Sequence, residues 1–512
     1  MDFLYYYYII YKMVSLQEKE LELVRNAIDL AGKKEGKRIV ESPEIKKIIT
    51  IVEDFMRSNK VICYGGTAIN NILPVSEQFY DKTVEIPDYD FFSTTPQEHA
   101  KNLADIYYKK GFEDVEAKSG MHEGTFKVFV NFIPVADITF ISPEFFNNIN
   151  KDAIVRDGIK YCPPNWLRGQ MYKELSRPAG DIARWEKVMK RLILLNKIYP
   201  LKGIHCDKID YQRNMENDVS DEEILYKSVR DSFINQGVVF FGGFAINNYS
   251  KYMPAKLRKK LENVPDFDVL AIDAKQCATI VKEKLQRMKI NNVKIVKHKS
   301  PGEFISEHYE LLVDKETIAF IYQTNSCHSY NILKLHNKKI KIATIDTMLN
   351  LYLASLYTDS DCYGGCDRIL CMCQFLFDVQ QKNRLKQKGL LRRFTINCYG
   401  SEKTIMEMRA EKAKKYQLLK NKRGTAEYER YFFKYIPGQI KSIKGKCNTT
   451  KKASKTASKT ASKTASKTAS KTASKTASKK ASKTASKTAS KKATKKNKSK
   501  SSGLFKRLEN LF

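Results

Sequence analysis

The chain contains one short pattern twice, and this repetition constrains its fold more than any other feature. Residues 61–71 read VICYGGTAINN and residues 238–248 read VVFFGGFAINN. In each copy an apolar run of strand length precedes two glycines and residues that can begin a helix. Further along, each copy has a Pro-Asp-aromatic-Asp motif, at residues 87–90 and 265–268. Internal similarity of this kind predicts two copies of one domain.

The first copy carries a candidate ligand site. Gly65 and Gly66 allow backbone N–H groups to approach a ligand, and the start of a helix favours an anion. Side chains alternate between the faces of a strand, so Asp88 and Asp90 are expected to point the same way. Two neighbouring carboxylates repel each other unless a cation lies between them, and Mg²⁺ prefers oxygen ligands of this kind.

A third carboxylate, Asp137, lies at the centre of the apolar run 135–140. An acid in a strand that is otherwise buried needs a partner. Beside Asp88 and Asp90 it would complete a site for two metal ions, which clamp the attacking and leaving oxygens of a phosphoryl displacement. Gly-Gly turns, Asp-x-Asp pairs and single core acids are each common, so none of them alone indicates a metal site. The presence of all three in this order favours the metal site.

The second copy lacks part of this set. Its matching strand, residues 317–322, has no carboxylate at its centre, and Phe244 replaces Thr67. A bulky ring at that position would obstruct a triphosphate. We therefore predict that the second copy is degenerate and keeps the fold as a structural or RNA-holding domain. Asp266 and Asp268 are expected to survive as turn or capping residues.

Composition limits the class of protein. The 512 residues are 42% hydrophobic, enough for two or three domains with real cores. The formal net charge of +34 implies a polyanionic partner. The 11 cysteines form no regular framework, so reduced thiols in a cytosolic compartment are expected. We find no apolar run of the roughly twenty residues that a membrane span needs.

Three further stretches are informative. Residues 389–446 interleave cations with aromatic rings, which suits single-stranded RNA or, alternatively, a solvated helical face. Residues 451–500 repeat Lys-Thr-Ala-Ser units that cannot bury a core, so this tail is expected to be disordered and to bind nucleic acid non-specifically. The cysteines of residues 362–373 are too closely spaced for the usual zinc pairs, and buried free thiols are expected there.

Taken together, Gly65-Gly66, Asp88-Tyr89-Asp90 and Asp137 resemble the signature of the nucleotidyltransferase superfamily with the polymerase-beta-type fold. The sequence is similar to the mimivirus-type poly(A) polymerase catalytic subunits of giant DNA viruses and distantly similar to the poxvirus ones. The resemblance covers roughly residues 15–440. Many members have Gly-Ser where this chain has Gly66-Thr67. This departure is mild if the threonine hydroxyl binds the phosphate.

The resemblance implies a template-independent RNA 3′-end nucleotidyltransferase, a poly(A) polymerase that adds AMP from ATP to the 3′-hydroxyl of mRNA. It implies two-metal phosphoryl transfer with Mg²⁺ or Mn²⁺. The implied catalytic residues and metal ligands are Asp88, Asp90 and Asp137. The implied nucleotide-binding residues are Gly65, Gly66, Thr67, Arg184 and Lys187. The two cations are expected on a helix after the catalytic sheet, for which a solvated basic face is the alternative.

Other functions stay open at this point. Composition does not choose the base, so a uridylyl- or CCA-adding enzyme is the alternative within the same class. A catalytically inactive RNA-binding scaffold is an alternative outside it, although the complete set of three acids argues against one. A third alternative is a DNA-condensing protein dominated by its tail.

The predicted fold class is α+β, with two tandem polymerase-beta-type domains, helical additions and a disordered basic tail. The predicted segments are 1–14, an extra start with Met13 as the expected initiator; 15–200, the catalytic domain; 201–345, the degenerate second domain; 346–446, a helical basic region; 447–503, the repeat tail; and 504–512, a short amphipathic end.

Partners and location follow from the resemblance. The expected partners are RNA 3′ ends, ATP, and either a second copy of the chain or an accessory processivity subunit, with no membrane. The expected location is the host cytoplasm at the viral factory, and the virion, with no secretion because residues 1–13 lack a basic flank and a cleavage site.

Overall fold

Two eight-stranded sheets organise the computed structural model of this α+β protein. The structure describes residues 2–209, 222–254, 258, 266–300, 304–335, 338–358 and 366–438, with backbone alone for residues 2–15 and 222. The predicted tail and amphipathic end lie outside these residues, as do Cys362 and the Pro265 of the second Pro-Asp motif. Residues Met1–Gln439 form one compact unit.

The described residues contain 14 α-helices and 16 strands. The helices are α1 (Asp2–Glu41), α2 (Pro43–Ser58), α3 (Gly65–Ile72), α4 (Pro96–Lys109), α5 (Pro143–Lys151), α6 (Pro164–Leu175), α7 (Trp185–Ile198), α8 (Glu222–Gln236), α9 (Gly242–Tyr249), α10 (Ala274–Arg287), α11 (Ile345–Ser355), α12 (Cys366–Lys382), α13 (Ile405–Leu419) and α14 (Ala426–Phe432). The strands are β1 (Ile62–Tyr64), β2 (Asp90–Ser93), β3 (Val115–Ser119), β4 (Thr125–Val130), β5 (Ile133–Phe140), β6 (Ile154–Arg156), β7 (Ile159–Tyr161), β8 (Val239–Phe241), β9 (Phe267–Ala271), β10 (Val293–His298), β11 (His308–Val313), β12 (Glu316–Gln323), β13 (His328–Leu335), β14 (Lys338–Ala343), β15 (Cys398–Tyr399) and β16 (Lys434–Tyr435). Among them no helix is both long and apolar enough to cross a membrane.

The two sheets have the same strand order over seven positions. The first runs β16-β3-β4-β5-β2-β1-β7-β6 and the second runs β10-β11-β12-β9-β8-β14-β13-β15. In each sheet the strand before Gly-Gly pairs antiparallel with the strand that carries the second acid of the motif. That strand in turn pairs parallel with the later apolar strand. The repeated sequence pattern therefore occupies equivalent positions in both sheets.

Helices after each sheet extend this correspondence. Helices α6 and α7 follow β7, and helices α11 and α12 follow β14. Helices α6 and α11 pack closely where Gly169 meets Leu353, since a Cβ placed on Gly169 would lie 3.1 Å from the Leu353 Cβ. This contact joins the helical layer of the first sheet to that of the second.

The apolar patterns of the sequence account for much of the core. The apolar face of α2 is buried at Ile45, Ile48, Val52, Phe55 and Met56. Proline is at its first position and Ser42 lies directly before it, as is common at a helix start. Strand β4 alternates between half-buried and buried residues, as expected for a strand with one covered face.

Some element boundaries were predicted wrongly. Strand β2 begins at Asp90, so Asp88 lies in the preceding loop and not on the strand. Helix α7 begins at Trp185, after a 3₁₀ turn at Ile182–Arg184, so Arg184 lies before the helix on which both cations were expected. Asp268 lies within β9 and not in a turn, because ladder pairing on both sides holds this position extended.

The prediction of free thiols was wrong for several cysteines. Cys206 is bonded to Cys371, and Cys327 to Cys398. The partners are 165 and 71 residues apart in the chain, so their proximity arises from tertiary packing. Among the described cysteines, the free ones are all buried, namely Cys63, Cys162, Cys277 and Cys373.

Candidate active site

Asp90 and Asp137 face each other across two parallel strands. Asp90 is the first residue of β2 and pairs in register with Asp137 on β5. The Asp137 backbone N–H donates to the Tyr89 carbonyl oxygen at 3.0 Å, which fixes this register beside Asp88. The structure thus brings together the three acids that the sequence singled out.

The electrostatics of the acids reflect their mutual repulsion. Burial, followed by the charges of Asp88 and Asp137, raises the pKa of Asp90 to about 7. Partial burial and the charge of Asp137 raise the pKa of Asp88. The charges of Asp88 and Asp137 therefore make Asp90 harder to ionise, and a cation bound among the three acids would relieve this repulsion.

Lys127 supplies positive charge at this site. It lies opposite Asp137 on the antiparallel strand β4, and its Nζ forms an ion pair with Asp137 Oδ2. Its charge also lowers the pKa of both Asp88 and Asp90, against the larger effect of burial.

Over the described parts of the chain, no three His, Cys, Asp or Glu side chains converge as a ready-made metal site. The donor set nevertheless fits a divalent cation, because it offers hard oxygen ligands whose charges repel one another. Lys127 compensates part of this charge through its ion pair with Asp137, and solvent weakens this pair because both side chains are partly exposed.

The first helical turn of α3 lies against the acids. Gly65 has φ +74°, and a Cβ at this position would lie 2.7 Å from Asp90 Oδ2. A Cβ on Gly66 would lie 2.6 Å from the Tyr80 hydroxyl and 2.9 Å from Arg191 Nη1. The positive φ makes glycine favoured at Gly65, and a side chain at Gly66 would displace the Tyr80 hydroxyl and the Arg191 guanidinium. The start of α3 therefore borders the acids on one side and a guanidinium on the other.

Thr67 has a structural contact in this region. Its buried hydroxyl donates to the Asp88 carbonyl oxygen at 2.6 Å, which ties the loop before β2 to helix α3. The sequence suggested a phosphate as the partner of this hydroxyl, whereas the structure gives it a backbone acceptor that positions Asp88.

The predicted basic residues lie near the acids. The charge of Arg184 lowers the pKa of Asp90, and the charge of Lys187 lowers the pKa of Asp88. Arg184 also forms an ion pair with Glu174, with Nε 3.3 Å from Oε2. By contrast, Lys190 is exposed and pairs with Glu186 on the same helix. The 3₁₀ turn and the first turn of α7 therefore act on the acids through these two charges, whereas Lys190 belongs to the solvated face that the sequence also suggested.

Arg191 is a residue of the site that the sequence did not single out. Its side chain is buried, donates from Nη2 to the Tyr80 hydroxyl at 2.5 Å and lies over the Phe79 ring. In the sequence it is one of several cations on α7. The position of its guanidinium beside Gly66 depends on the path of the loop before Asp88. No pattern in the sequence predicts that path.

The second sheet holds an altered version of the same geometry. Gly242 has φ +69°, and Asp268 pairs with Phe241 as Asp90 pairs with Tyr64. Opposite Asp268 on β12 lies Phe320, in the register position that Asp137 occupies in the first sheet.

Two side chains from the helical layer approach this second site. Arg368 on α12 and Tyr352 on α11 line a cavity together with Asp266 and Asp268. The Arg368 guanidinium interacts electrostatically with Asp268. The Tyr352 hydroxyl lies near the Gly242 N–H and makes no hydrogen bond of normal geometry with the described residues.

The fold defines the class of protein. The structure is similar to the crystal structure of the Megavirus polyadenylate synthase, with a TM-score of 0.69 and 21% identity. The similarity covers 82% of this chain and 86% of that one. At this identity the likeness establishes the fold, an α+β architecture of the polyadenylate-synthase type.

The sequence comparisons find similarity to viral poly(A) polymerase catalytic subunits. Residues 50–181 match the family model described as poly(A) polymerase catalytic subunit. The chain is 29% identical over 259 residues to a putative poly(A) polymerase catalytic subunit of Acanthamoeba polyphaga mimivirus, covering 48% of this chain and 42% of that protein. It is 32% identical over 179 residues to that of African swine fever virus, covering 34% and 37%. The chain thus spans less than half the length of these curated viral relatives, and the resemblance seen in the sequence is confirmed.

Proposed function

We propose that the chain is a template-independent nucleotidyltransferase that acts on RNA 3′ ends, namely a poly(A) polymerase that transfers AMP from ATP. The observation that carries the proposal is the pairing of Asp90 with Asp137 beside the first turn of α3. This geometry lies within residues 50–181, which match the family model. The names of the relatives support ATP as the substrate.

The acids would hold the metal ions of this reaction. Asp88 and Asp90 would be ligands of both metal ions. Asp137 would be a further ligand of the ion that binds the RNA 3′-hydroxyl. Bound Mg²⁺ or Mn²⁺ supplies charge neutralisation and lowers the pKa of that hydroxyl. Asp137 is then placed to accept its proton, and Lys127 keeps positive charge beside Asp137 when no metal is bound.

Binding of the triphosphate would use the first turn of α3 and helix α7. Helix α3 begins at Gly65 beside Asp90, and the start of a helix favours an anion. Arg184 and Lys187, whose charges already act on the acids, would neutralise the phosphates as negative charge moves to the leaving group. Positioning and charge neutralisation then provide most of the catalysis.

The proposal includes two tandem copies of one domain, of which the second is degenerate. The shared strand order and register support the duplication. Phe320 in place of a third acid supports the loss of chemistry. Arg368 provides Asp268 with a cation from within the protein, so this carboxylate needs no metal ion.

Two alternative functions differ from this one in the nucleotide that they incorporate or in whether they turn over a nucleotide at all. A uridylyl- or CCA-adding enzyme would share the acids and differ in base. An inactive scaffold would bind RNA without turnover. Interaction with an accessory subunit or a second copy, and non-specific nucleic-acid binding by the tail, are further parts of the proposal.

The experiment is RNA 3′-extension with each ribonucleoside triphosphate in turn, with Mg²⁺ or Mn²⁺. We expect long products with ATP alone. The double variant Asp88→Ala/Asp90→Ala should lose extension, whereas the matched variant Asp268→Ala in the second sheet should retain it. Extension with another base would replace the proposed specificity. Undiminished extension by the double variant would exclude these acids as the catalytic site.

A further inference from the structure

The extended segment 392–396 displays an aromatic ring to solvent. Its residues alternate, with Arg392, Phe394 and Ile396 exposed and Arg393 and Thr395 buried. Arg393 anchors the segment, because its Nε donates to Asp346 Oδ1 at 2.8 Å inside the protein. The backbone is therefore held in place, and the Phe394 ring remains 42% exposed on a fixed support.

Phe394 lies beside the first residue of α7. Its ring centroid is 5.9 Å from that of Trp185, and the two rings are inclined at 41°. Trp185 is half-buried, and its indole N–H donates to the Glu174 carbonyl oxygen at 3.0 Å. The two rings thus form an aromatic surface, the Trp185–Phe394 platform, on which a further planar group can stack.

The platform adjoins the candidate active site. Trp185 stands between Arg184 and Lys187, whose charges lower the pKa of Asp90 and Asp88 respectively. A ligand that reaches from the acids to the platform would pass these two cations. The Arg393 guanidinium lies over the Phe394 ring, 5.2 Å from its centroid, and the residue before it in the chain, Arg392, is exposed.

Aromatic rings flanked by cations fit one kind of partner. Single-stranded nucleic acid offers planar bases that stack on aromatic side chains and phosphates that pair with lysine and arginine. A neutral apolar peptide would bury the rings and leave the cations without counter-charge. The net charge of +34 agrees with a polyanionic occupant.

We propose that the Trp185–Phe394 platform stacks a base of the single-stranded RNA near its 3′ end, with Arg392 on an adjacent phosphate. This inference rests on the proposed function and extends it, because it assigns the path by which the RNA leaves the acids. The base stacks by its π-face, so the platform holds RNA without selecting the sequence.

The test is the binding of a fluorescein-labelled 15-nucleotide oligo(A) to the full chain, measured by fluorescence anisotropy over a series of salt concentrations. Loss of one stacking contact should weaken binding by about 5- to 150-fold in Phe394→Ala, and the loss should persist at high salt. Arg392→Gln should weaken binding mainly at low salt, since its contribution is electrostatic. Phe394→Trp should restore affinity.

Two controls separate this inference from the proposed function. Ile396→Ala removes a side chain that is 90% exposed on the same segment and should change RNA affinity less than twofold. In extension assays Phe394→Ala should raise KM for RNA and leave KM for ATP unchanged.

The outcomes are distinct. Wild-type affinity in Phe394→Ala would reject the platform, even if the loss of extension in Asp88→Ala/Asp90→Ala upholds the enzyme. Absence of extension by the wild type with every nucleotide would reject the enzyme. In that case a Phe394-dependent affinity for oligo(A) would still support the platform as an RNA-binding surface.

Discussion

At the scale of single residues, the site depends on groups that are placed at a cost to stability. Asp90 is held beside Asp88 and Asp137, and burial together with their charges raises its pKa to about 7. The close approach of its carboxylate is permitted because Gly65 has no side chain. Such an arrangement favours ligand binding over folding stability.

Asp90→Asn should raise the thermal stability of the metal-free protein at pH 8. The folded state resists ionisation of Asp90 up to pH about 7, whereas the unfolded state ionises near pH 4, so the wild type loses stability as pH rises through this window. The expected gain is on the order of 4 kcal/mol at pH 8 and disappears towards pH 4. Thermal unfolding at both pH values measures it.

Addition of Mg²⁺ provides a second readout for the same variant. The cation should raise the Tm of the wild type and have less effect on Asp90→Asn, because one ligand has lost its charge. The exposed acid Asp81, whose hydrogen bonds with Thr83 lower its pKa, offers the control Asp81→Asn, which should not be stabilised. Equal stabilities of wild type and Asp90→Asn at pH 8 would contradict the raised pKa.

Arg191→Gln should raise KM for ATP by about 10- to 100-fold, the effect of one charge-assisted hydrogen bond to phosphate. The buried guanidinium lies against Gly66, so its loss removes a cation from the proposed triphosphate site. The matched control is Lys190→Gln, since Lys190 is exposed and pairs with Glu186. Steady-state kinetics in which ATP and RNA are varied separately should show a change only in KM for ATP. Equal effects of Arg191→Gln and Lys190→Gln would show that Arg191 does not belong to the triphosphate site.

At the scale of elements, the two sheets share one register and differ in the side chains that occupy it. The residue that faces the second motif acid is Asp137 on β5 and Phe320 on β12. The residue facing that position on the next strand is Lys127 on β4 and Glu310 on β11. A few side chains on a retained backbone therefore distinguish the two copies.

Arg368→Met should destabilise the protein by a few kcal/mol, because it leaves Asp268 without the cation that interacts with it. Adding Asp268→Asn to this variant should recover part of the loss, since the buried charge is then gone as well. Urea unfolding of the two single variants and the double variant forms a mutant cycle that measures the coupling. Additive effects would mean that Arg368 does not serve as the counter-ion of Asp268.

At the scale of the whole molecule, the second half contributes stability and a dependence on pH. His308 is buried on β11 and stacks on Tyr322, with ring centroids 4.5 Å apart. Burial lowers its pKa to about 4, so it is neutral in the folded protein at neutral pH. Packing of the second sheet thus relies on uncharged imidazole.

His308→Phe should reduce the acid sensitivity of folding. Because the pKa of His308 is lowered in the folded state, its contribution to the free energy of unfolding is present above pH about 6.5, where unfolded histidine titrates. This contribution is lost as pH falls towards 4. The wild type should lose about 2 kcal/mol through this group between pH 7.5 and pH 5. Urea unfolding at the two pH values should show a smaller difference for His308→Phe, and an unchanged one for the exposed His122→Gln; an unreduced difference in His308→Phe would contradict the assignment.

The sequence by itself determined the features that depend on local pattern. Gly-Gly after an apolar strand, the acids of residues 88–90 and the acid of residue 137 were readable because strand periodicity and glycine conformation are local properties. The repeated motif was readable because the same pattern recurs in the sequence. The absence of a third acid on residues 317–322 was likewise visible in the residues alone.

Tertiary structure decided what depends on contacts between distant segments. The pairing of Lys127 with Asp137 required the antiparallel register of β4 and β5, and Arg191 reached Gly66 through the packing of α7 against an irregular loop. Arg368 approaches Asp268 from a helix much later in the chain, and the disulfide partners are likewise far apart. Such contacts depend on how elements pack against each other. The side-chain pattern along one element does not identify the element against which it packs.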